Sequence, residues 1–151
     1  MSSYMPQSKN QEHITPDRVW NIIEKEWELT KDKFYDPCPV GTPYKAPIFF
    51  NGLYGDWKSW NYTNPPYAVK TLRLFYNKAV QQSRLNNHSI MLLPSKTDQD
   101  WFHDIIEKKF KIKWIRGRLK FKGNKDSSMG GHFLVLIKMP VRMEGYLNHG
   151  L

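Results

Sequence analysis

Cysteine is almost absent from this sequence. Cys38 is the single cysteine among 151 residues, so an internal disulfide cannot form. The histidines do not have the spacing of a zinc site either; they are scattered through the chain as His13, His88, His103, His132 and His149. We therefore expect no bound metal and a reducing, intracellular environment.

Long apolar runs are also missing. No stretch approaches the roughly 20 apolar residues of a membrane helix, and the first residues lack the charged and then apolar order of a signal peptide. These absences predict a soluble, cytoplasmic protein. Residues 1–12 and 141–151 are polar without periodicity, which predicts flexible tails on either side of one compact domain over residues 13–140.

Acidic residues are fewer than basic residues in this sequence. Lys and Arg total 23 against 14 Asp and Glu, which gives a formal net charge of +9. This balance favours a polyanionic partner, above all DNA, although a basic protein without such a partner has the same composition. Positive charge is densest between Lys108 and Lys125, where aromatic residues interrupt it. The best candidates for DNA contact are Arg116, Arg118, Lys120 and Lys122; the alternative is a solvated face.

Helical and strand-like segments alternate along the chain. Helical spacing is present in "TPDRVWNIIEKEW", where Thr15 is the expected cap, from Val69 up to "NNHS", and in "DQDWFHDIIEKKF". The strand candidates are "KFYD" ending at Asp36, "IFF" at residues 48–50, "WNYT", "IMLLP", "KIKWI", "RLKF" and a closing "HFLVLI". This order predicts an α/β fold, namely a Rossmann-like, mostly parallel open sheet with helices on both faces and ligands at the carboxyl ends of its strands.

The tetrapeptide Asn64-Pro65-Pro66-Tyr67 comes directly after the "WNYT" strand candidate. The two prolines lack amide hydrogens and fix their own backbone torsions, so their carbonyls can act as rigid acceptors beside the Asn64 side-chain oxygen. Such a set suits an exocyclic amine on a base, and Tyr67 offers a flat face for stacking. The alternative is an ordinary turn, since Asn and Pro are common turn residues.

This tetrapeptide resembles the catalytic (D/N/S)PP(Y/F/W) motif of amino-methyltransferases that use S-adenosylmethionine. Further segments are similar, in order, to the phage-type DNA N-6-adenine methyltransferases (Dam-like). They are "TPDRVW", "FYDPCP", "NGLYGDW", "NYTNPPY", "FYNKAV", "IMLLPSKTDQDWFHDII" and "WIRGRLKFKG". Together they extend over roughly Ile14 to Lys138.

The resemblance implies a methyltransferase domain that moves a methyl group from S-adenosylmethionine directly to the exocyclic amine of adenine in DNA, without a metal. Asn64 and the Pro65 and Pro66 carbonyls would polarise the amine, and Tyr67 would stack on the flipped-out base. The resemblance also implies a set of cofactor-binding residues: Thr15, Pro16, Asp36, Pro37, Gly41, Asp56 and Asn64.

Several of these residues have a structural alternative, and the sequence departs from the expected pattern. Thr15 and Pro16 could start a helix, Asp36 could end a strand and Asp56 could lie in a turn. A Gly-rich GxGxxG loop is absent, and no clear acid follows "IFF" to hold the ribose hydroxyls. No insertion is large enough for a separate target-recognition domain, so a loop, a second copy of the chain or a specificity partner would supply sequence specificity.

Two other functions remain open. One is a nucleic-acid-binding subunit that keeps the fold but has a degraded cofactor loop. The other is an amino-methyltransferase that acts on RNA or on a protein amide, because the same tetrapeptide suits any planar amine. The phage-type resemblance itself implies an enzyme of a virus or mobile-element restriction-modification system, or an orphan enzyme.

Overall fold

The computed structural model describes residues 14–39, 51–124 and 126–139. These residues form three α-helices, α1 (Asp17–Trp27), α2 (Val69–Ser83) and α3 (Asp100–Glu107), and four strands, β1 (Trp60–Thr63), β2 (His88–Pro94), β3 (Lys111–Arg118) and β4 (Gly131–Ile137). Short 3-10 turns lie at Lys31–Lys33 and Asn51–Leu53. The strand predicted at "IFF", Gly41 and the two predicted tails lie outside the described residues.

The four strands form one open sheet in the order β1-β2-β4-β3. β1 pairs parallel with β2, whereas β4 pairs antiparallel with both β2 and β3. The mixed α/β class is confirmed, but the mostly parallel, Rossmann-like sheet is not, since two of these three pairings are antiparallel. The "HFLVLI" strand does not close the sheet at its edge but lies inside it. Because the described part of the β3–β4 connection contains no helix, the chain returns antiparallel instead of crossing over.

β2 is buried on both faces of the sheet. Its residues Ile90 and Leu92 pack toward α1, while Met91 and Leu93 pack toward α2 and α3. Helices therefore cover both faces, as expected, and the continuous apolar run "IMLLP" is explained by this position. Burying each such side chain stabilises the fold by about 1.5–3 kcal/mol, which makes β2 the centre of the core.

The helix α2 follows the tetrapeptide and packs on the sheet through one apolar face. Its buried hydrophobic residues recur three and four positions apart, as Leu72, Phe75, Tyr76, Ala79 and Val80. The first turn is fixed by a hydrogen bond from the amide of Leu72 to the carbonyl of Ala68, 2.9 Å long. Among the helices that the structure describes, none is both long and apolar enough to cross a membrane.

The start of α1 differs from the prediction. The helix begins after Pro16 and has no side-chain cap, so Thr15 is not a capping residue. Its hydroxyl is instead hydrogen-bonded to the hydroxyl of Tyr62 in β1, at 2.8 Å. The residue expected to start a helix therefore joins that helix to the sheet.

Two predicted strands are shorter than expected. "KFYD" contributes one parallel bridge, between Tyr35 and Asn61, rather than a strand. "RLKF" does not form a strand of its own: its first residue, Arg118, is the last residue of β3, and the three residues after it lie outside the strand. Just before this end the β3–β4 register is irregular and Gly117 has a φ of 75°, a conformation that favours glycine.

The predicted "NGLYGDW" turn is present and lies against the segment that follows Asp36. Gly52 approaches Pro37 so closely that a Cβ atom at Gly52 would lie 2.0 Å from the Pro37 carbonyl oxygen. The indole nitrogen of Trp57 donates to the Gly52 carbonyl at 2.8 Å. Only glycine fits this contact, which holds Pro37 beside the sheet.

Candidate active site

The tetrapeptide Asn64-Pro65-Pro66-Tyr67 lies at the carboxyl end of β1, as predicted. Because β1 and β2 are parallel, the end of β2 at Pro94 lies along the same edge of the sheet. Pro65 and Pro66 are buried, and Asn64 and Tyr67 are partly buried. In the part of the chain that the structure describes, no hydrogen bond engages the Pro65 or Pro66 carbonyl. Two rigid acceptors therefore remain available beside Asn64.

A chain of hydrogen bonds fixes the Asn64 amide. Its Nδ2 donates to Thr15 Oγ1 at 3.4 Å, and Thr15 Oγ1 is in turn bonded to the Tyr62 hydroxyl. Its Oδ1 accepts from the Tyr67 hydroxyl at 3.0 Å, and that hydroxyl also lies 3.3 Å from the Leu92 carbonyl oxygen. We call Tyr62, Thr15, Asn64 and Tyr67 the Asn64 network. It joins α1, β1 and the tetrapeptide, and within it the amide oxygen faces Tyr67.

The two phenols of this network stay protonated. Burial raises the pKa of Tyr67 well above its usual range, and the neighbouring Tyr62 raises it further. Burial likewise raises the pKa of Tyr62, an effect that its hydrogen bond to Thr15 opposes and the negative charge of Asp36 increases. Tyr67 therefore acts as a hydrogen-bond donor to Asn64 at any physiological pH.

Asp36 is brought to the same edge of the sheet. Tyr35 pairs with β1 through two backbone hydrogen bonds, to Trp60 O at 3.0 Å and from Tyr62 N at 2.9 Å. Asp36 follows in the direction of β1, and its carboxylate accepts from the Cys38 amide at 2.8 Å. The side chain keeps contact with solvent, yet the protein around it raises the pKa of Asp36 to about 6 by desolvation, against the lowering effect of the Cys38 amide.

Asp56 does not join this group. Its carboxylate accepts from Gln82 Nε2 at 3.3 Å, near the carboxyl end of α2. Asn64 precedes the other end of this helix, and a helix rises 1.5 Å per residue, so the two residues are separated by roughly 20 Å. The family resemblance placed both residues in one cofactor site, but the strand β1 lies between them in the chain.

A pocket of about 740 Å³ opens beside Tyr67, and the sequence analysis did not predict it. The ends of β2 and β4 and the β3–β4 loop form its wall, with Ser95, Lys96, Asn124, Ser128 and His132 among the lining residues. The buried His132 ring lies 5.6 Å from the Tyr67 ring and 5.5 Å from the Phe121 ring. These three rings form an aromatic wall; the one signal for it was the His at the start of "HFLVLI".

The four predicted DNA-contacting residues lie on exposed surface at and after the end of β3. Their backbone is tied to α1, because Arg18 donates to the carbonyls of Arg116 and Arg118. Lys122 also forms an ion pair with Asp17 at 2.8 Å. The charge of Lys122 is thus partly compensated within the protein, whereas no ion pair within the described ranges engages Arg116, Arg118 or Lys120.

Metal-binding clusters are not found in the described ranges: no group of three or more His, Cys, Asp or Glu side chains lies close enough to hold an ion. Of the candidate cofactor residues, Thr15 is hydrogen-bonded to Asn64, Asp36 lies close enough to act electrostatically on Tyr62, and Pro37 lies against Gly52, while Gly41 is among the residues that the structure does not describe.

An open α/β sheet with a polar cluster and a pocket at the carboxyl edge of parallel strands is characteristic of α/β proteins that bind a ligand at this edge. The chain belongs to the DNA N-6-adenine-methyltransferase (Dam) family, whose model matches residues 2–142. This match confirms the family indicated by the sequence motifs. No curated protein and no solved structure matches the chain.

The pKa of Asp36 predicts how one substitution changes the pH dependence of stability. The folded-state value of about 6 lies above the value of about 3.9 for an unfolded Asp, so the folded protein binds more protons between these values. The stability contributed by Asp36 therefore falls as pH rises from about 4 to about 6 and is constant above. As pH increases from about 4 to about 6, we expect the free energy of unfolding of Asp36→Asn, measured by urea denaturation, to increase relative to that of the wild type.

The control for this experiment is Asp17→Asn, since the Lys122 ion pair lowers the pKa of Asp17. Its stability relative to the wild type should change in the opposite direction, and at lower pH. A difference between Asp36→Asn and the wild type that stays constant from pH 4 to pH 7 would contradict the assignment.

Proposed function

We propose that this protein is a DNA adenine-N6 methyltransferase that uses S-adenosylmethionine. The observation that carries the proposal is the Asn64 amide, held by the Asn64 network beside two unengaged proline carbonyls and a pocket. Family membership supports the reaction class. A virus or mobile-element modification system is the setting that we propose from the phage-type motifs.

On the acceptor side, the tetrapeptide suits an amine with two hydrogens. An amide oxygen can accept two hydrogen bonds; Asn64 Oδ1 accepts one from Tyr67, and we propose that a bound substrate amine is a further donor to it. The Pro65 carbonyl, fixed by its ring, is the second acceptor. The pocket volume of about 740 Å³ lies within the usual range of ligand sites, and the rings of Tyr67, Phe121 and His132 give an adenine ring an aromatic surface.

On the cofactor side, the polar groups near Asn64 match the amino-acid end of S-adenosylmethionine. The Asp36 carboxylate suits an ammonium group, and the amides of the first α1 turn, beside Thr15 and Pro16, suit a carboxylate. Thr63 Oγ1 is buried directly before Asn64 and has no hydrogen-bond partner among the described residues. A buried hydroxyl in this state costs roughly 1–3 kcal/mol, and a ligand at the end of β1 would supply its partner.

When bound, S-adenosylmethionine would supply an electrophilic methyl group: the adenine N6 lone pair would form the new N–C bond as the C–S bond breaks, S-adenosylhomocysteine would leave, and the N6 proton would pass to bulk solvent after transfer. The protein's part is to orient the amine through Asn64 and Pro65 and to exclude water around it. Pro37 holds the cofactor-side loop against Gly52, and Gly41 remains a proposed contact in that loop. Asp56 supports the turn before β1 and is not part of the proposed cofactor site.

The proposed role of Asn64 predicts a selective loss of transfer. Asn64→Ala should lower the rate of methyl transfer to DNA at least ~100-fold, as removal of one polar group at a reacting centre does. S-adenosylmethionine affinity, measured by calorimetry, should fall no more than about tenfold, because Asn64 is proposed to act on the acceptor amine and reaches the cofactor side through its hydrogen bond to Thr15.

The matched control is Asn77→Ala, which removes the same side chain from the exposed face of α2 and should leave both quantities unchanged. A wild-type rate of methyl transfer by Asn64→Ala would contradict the proposed catalytic role of Asn64. Equal losses of transfer and of cofactor affinity would instead make Asn64 a cofactor ligand only.

We further propose that Arg116, Arg118 and Lys120 contact DNA phosphates, with Lys122 contributing less because Asp17 compensates its charge. The double variant Arg116→Ala/Arg118→Ala should reduce the slope of log K against log salt by up to about 2, since each phosphate contact adds about 0.9. Lys122→Ala should change it less. Binding to a short duplex at several salt concentrations measures both.

Arg73→Ala/Arg84→Ala is the control of equal charge, because these arginines line a separate groove between α2 and α3. Its slope should equal that of the wild type. If the Arg116/Arg118 variant also kept the wild-type slope, these residues would lie outside the contact surface.

A further inference from the structure

Met129 is the most exposed of the large hydrophobic side chains in the described residues. It is 91% exposed, whereas the others in this class range from 36% to 56%. Single exposed apolar residues are common, so exposure alone does not indicate a function. The position of Met129 in the structure does.

The residue projects from an anchored point of the β3–β4 loop. The preceding Ser128 donates its amide to the carbonyl of the buried Leu119 at 2.7 Å, and its hydroxyl bonds the Gly130 carbonyl at 3.2 Å. The following residues are Gly130 and Gly131, and no atom lies within 4 Å of where a Cβ of Gly130 would be. The loop therefore fixes the base of Met129 and leaves space around it.

Met129 also lies on the wall of the pocket beside Tyr67. A base that enters this pocket from duplex DNA leaves a gap between its neighbours in the stack. Proteins that open base steps fill such gaps with apolar side chains, among them Met. The unbranched, flexible Met side chain suits a gap of irregular shape, and Lys96 on the pocket wall suits an adjacent phosphate.

We propose that Met129 enters the duplex in place of the target adenine and so holds the extruded base in the pocket. The inference rests on the proposed function, because it takes the pocket as the adenine site. Met129 is in this account a positioning residue: it touches the neighbouring bases and not the reacting amine.

The test compares two DNA substrates of one sequence, one with the target adenine paired to thymine and one with it opposite an abasic site. Met129→Ala should lower kcat/KM at least ~10-fold on the paired duplex, where base opening is costly, and less than about twofold on the unpaired one. Met129→Leu should retain most activity on both. Leu85→Ala, which truncates another exposed apolar residue (55% exposed) in the turn after α2, should match the wild type.

A second readout does not depend on methyl transfer. With 2-aminopurine at the target position of a paired duplex, wild-type binding should raise the fluorescence as the base leaves the stack, and Met129→Ala should give a smaller rise at saturation. The proposed insertion of Met129 into the duplex would be overturned if Met129→Ala left the fluorescence rise unchanged and either lowered activity equally on both substrates or lowered it on neither. Absence of methylation by the wild type on both substrates would overturn the proposed function. The difference in fluorescence rise between wild type and Met129→Ala would then decide separately whether Met129 enters the duplex.

Discussion

The parallel pairing of β1 with β2 is the constraint on which the site depends. β2 is buried on both faces, so its place in the sheet is set by packing against all three helices. Pairing β1 parallel to it puts the ends of both strands at one edge, where the Tyr67 hydroxyl lies 3.3 Å from the carbonyl oxygen of Leu92. The same edge receives Asp36 through the single bridge at Tyr35. The pairing thus brings Asn64, Tyr67 and Asp36 to one edge of the sheet.

The Asn64 network holds the Asn64 side-chain amide, the proposed hydrogen-bond acceptor, at the end of β1. An amide side chain can rotate and present either its oxygen or its nitrogen. Here Thr15 accepts from the nitrogen and Tyr67 donates to the oxygen, so the oxygen faces Tyr67. Since burial keeps Tyr67 protonated, the orientation does not change with pH in the physiological range. The rigidity of Pro65 and Pro66 then fixes the neighbouring carbonyls without further contacts.

Elements with a strong local pattern were predictable from the sequence. Aromatic, β-favouring residues identified β1, continuous apolar character identified β2, and three-to-four spacing identified α2, because these signals reflect how the side chains are buried. The placement of β4 between β2 and β3 was not predictable, since strand order is a long-range pairing that a local pattern does not encode. The antiparallel pairings that follow from it were missed for the same reason.

The site was predictable where it coincided with a motif and not elsewhere. Asn64 and Tyr67 are where the tetrapeptide placed them, and Asp36 lies on the same edge. Asp56 was placed near them by the family resemblance, but the extended strand β1 lies between Asp56 and Asn64. The pocket was missed because its wall is a loop of Gly, Ser and Asn, whose shape depends on contacts with the ends of two strands rather than on any period.

The most direct test of the account is the identity of the methylated product. The protein is incubated with duplex DNA and S-adenosylmethionine that carries an isotopically labelled methyl group, and the DNA is digested to nucleosides for mass spectrometry. The account predicts that the label appears in N6-methyldeoxyadenosine. Label in methylated cytosine, or in no nucleoside although the folded protein binds the DNA, would contradict it.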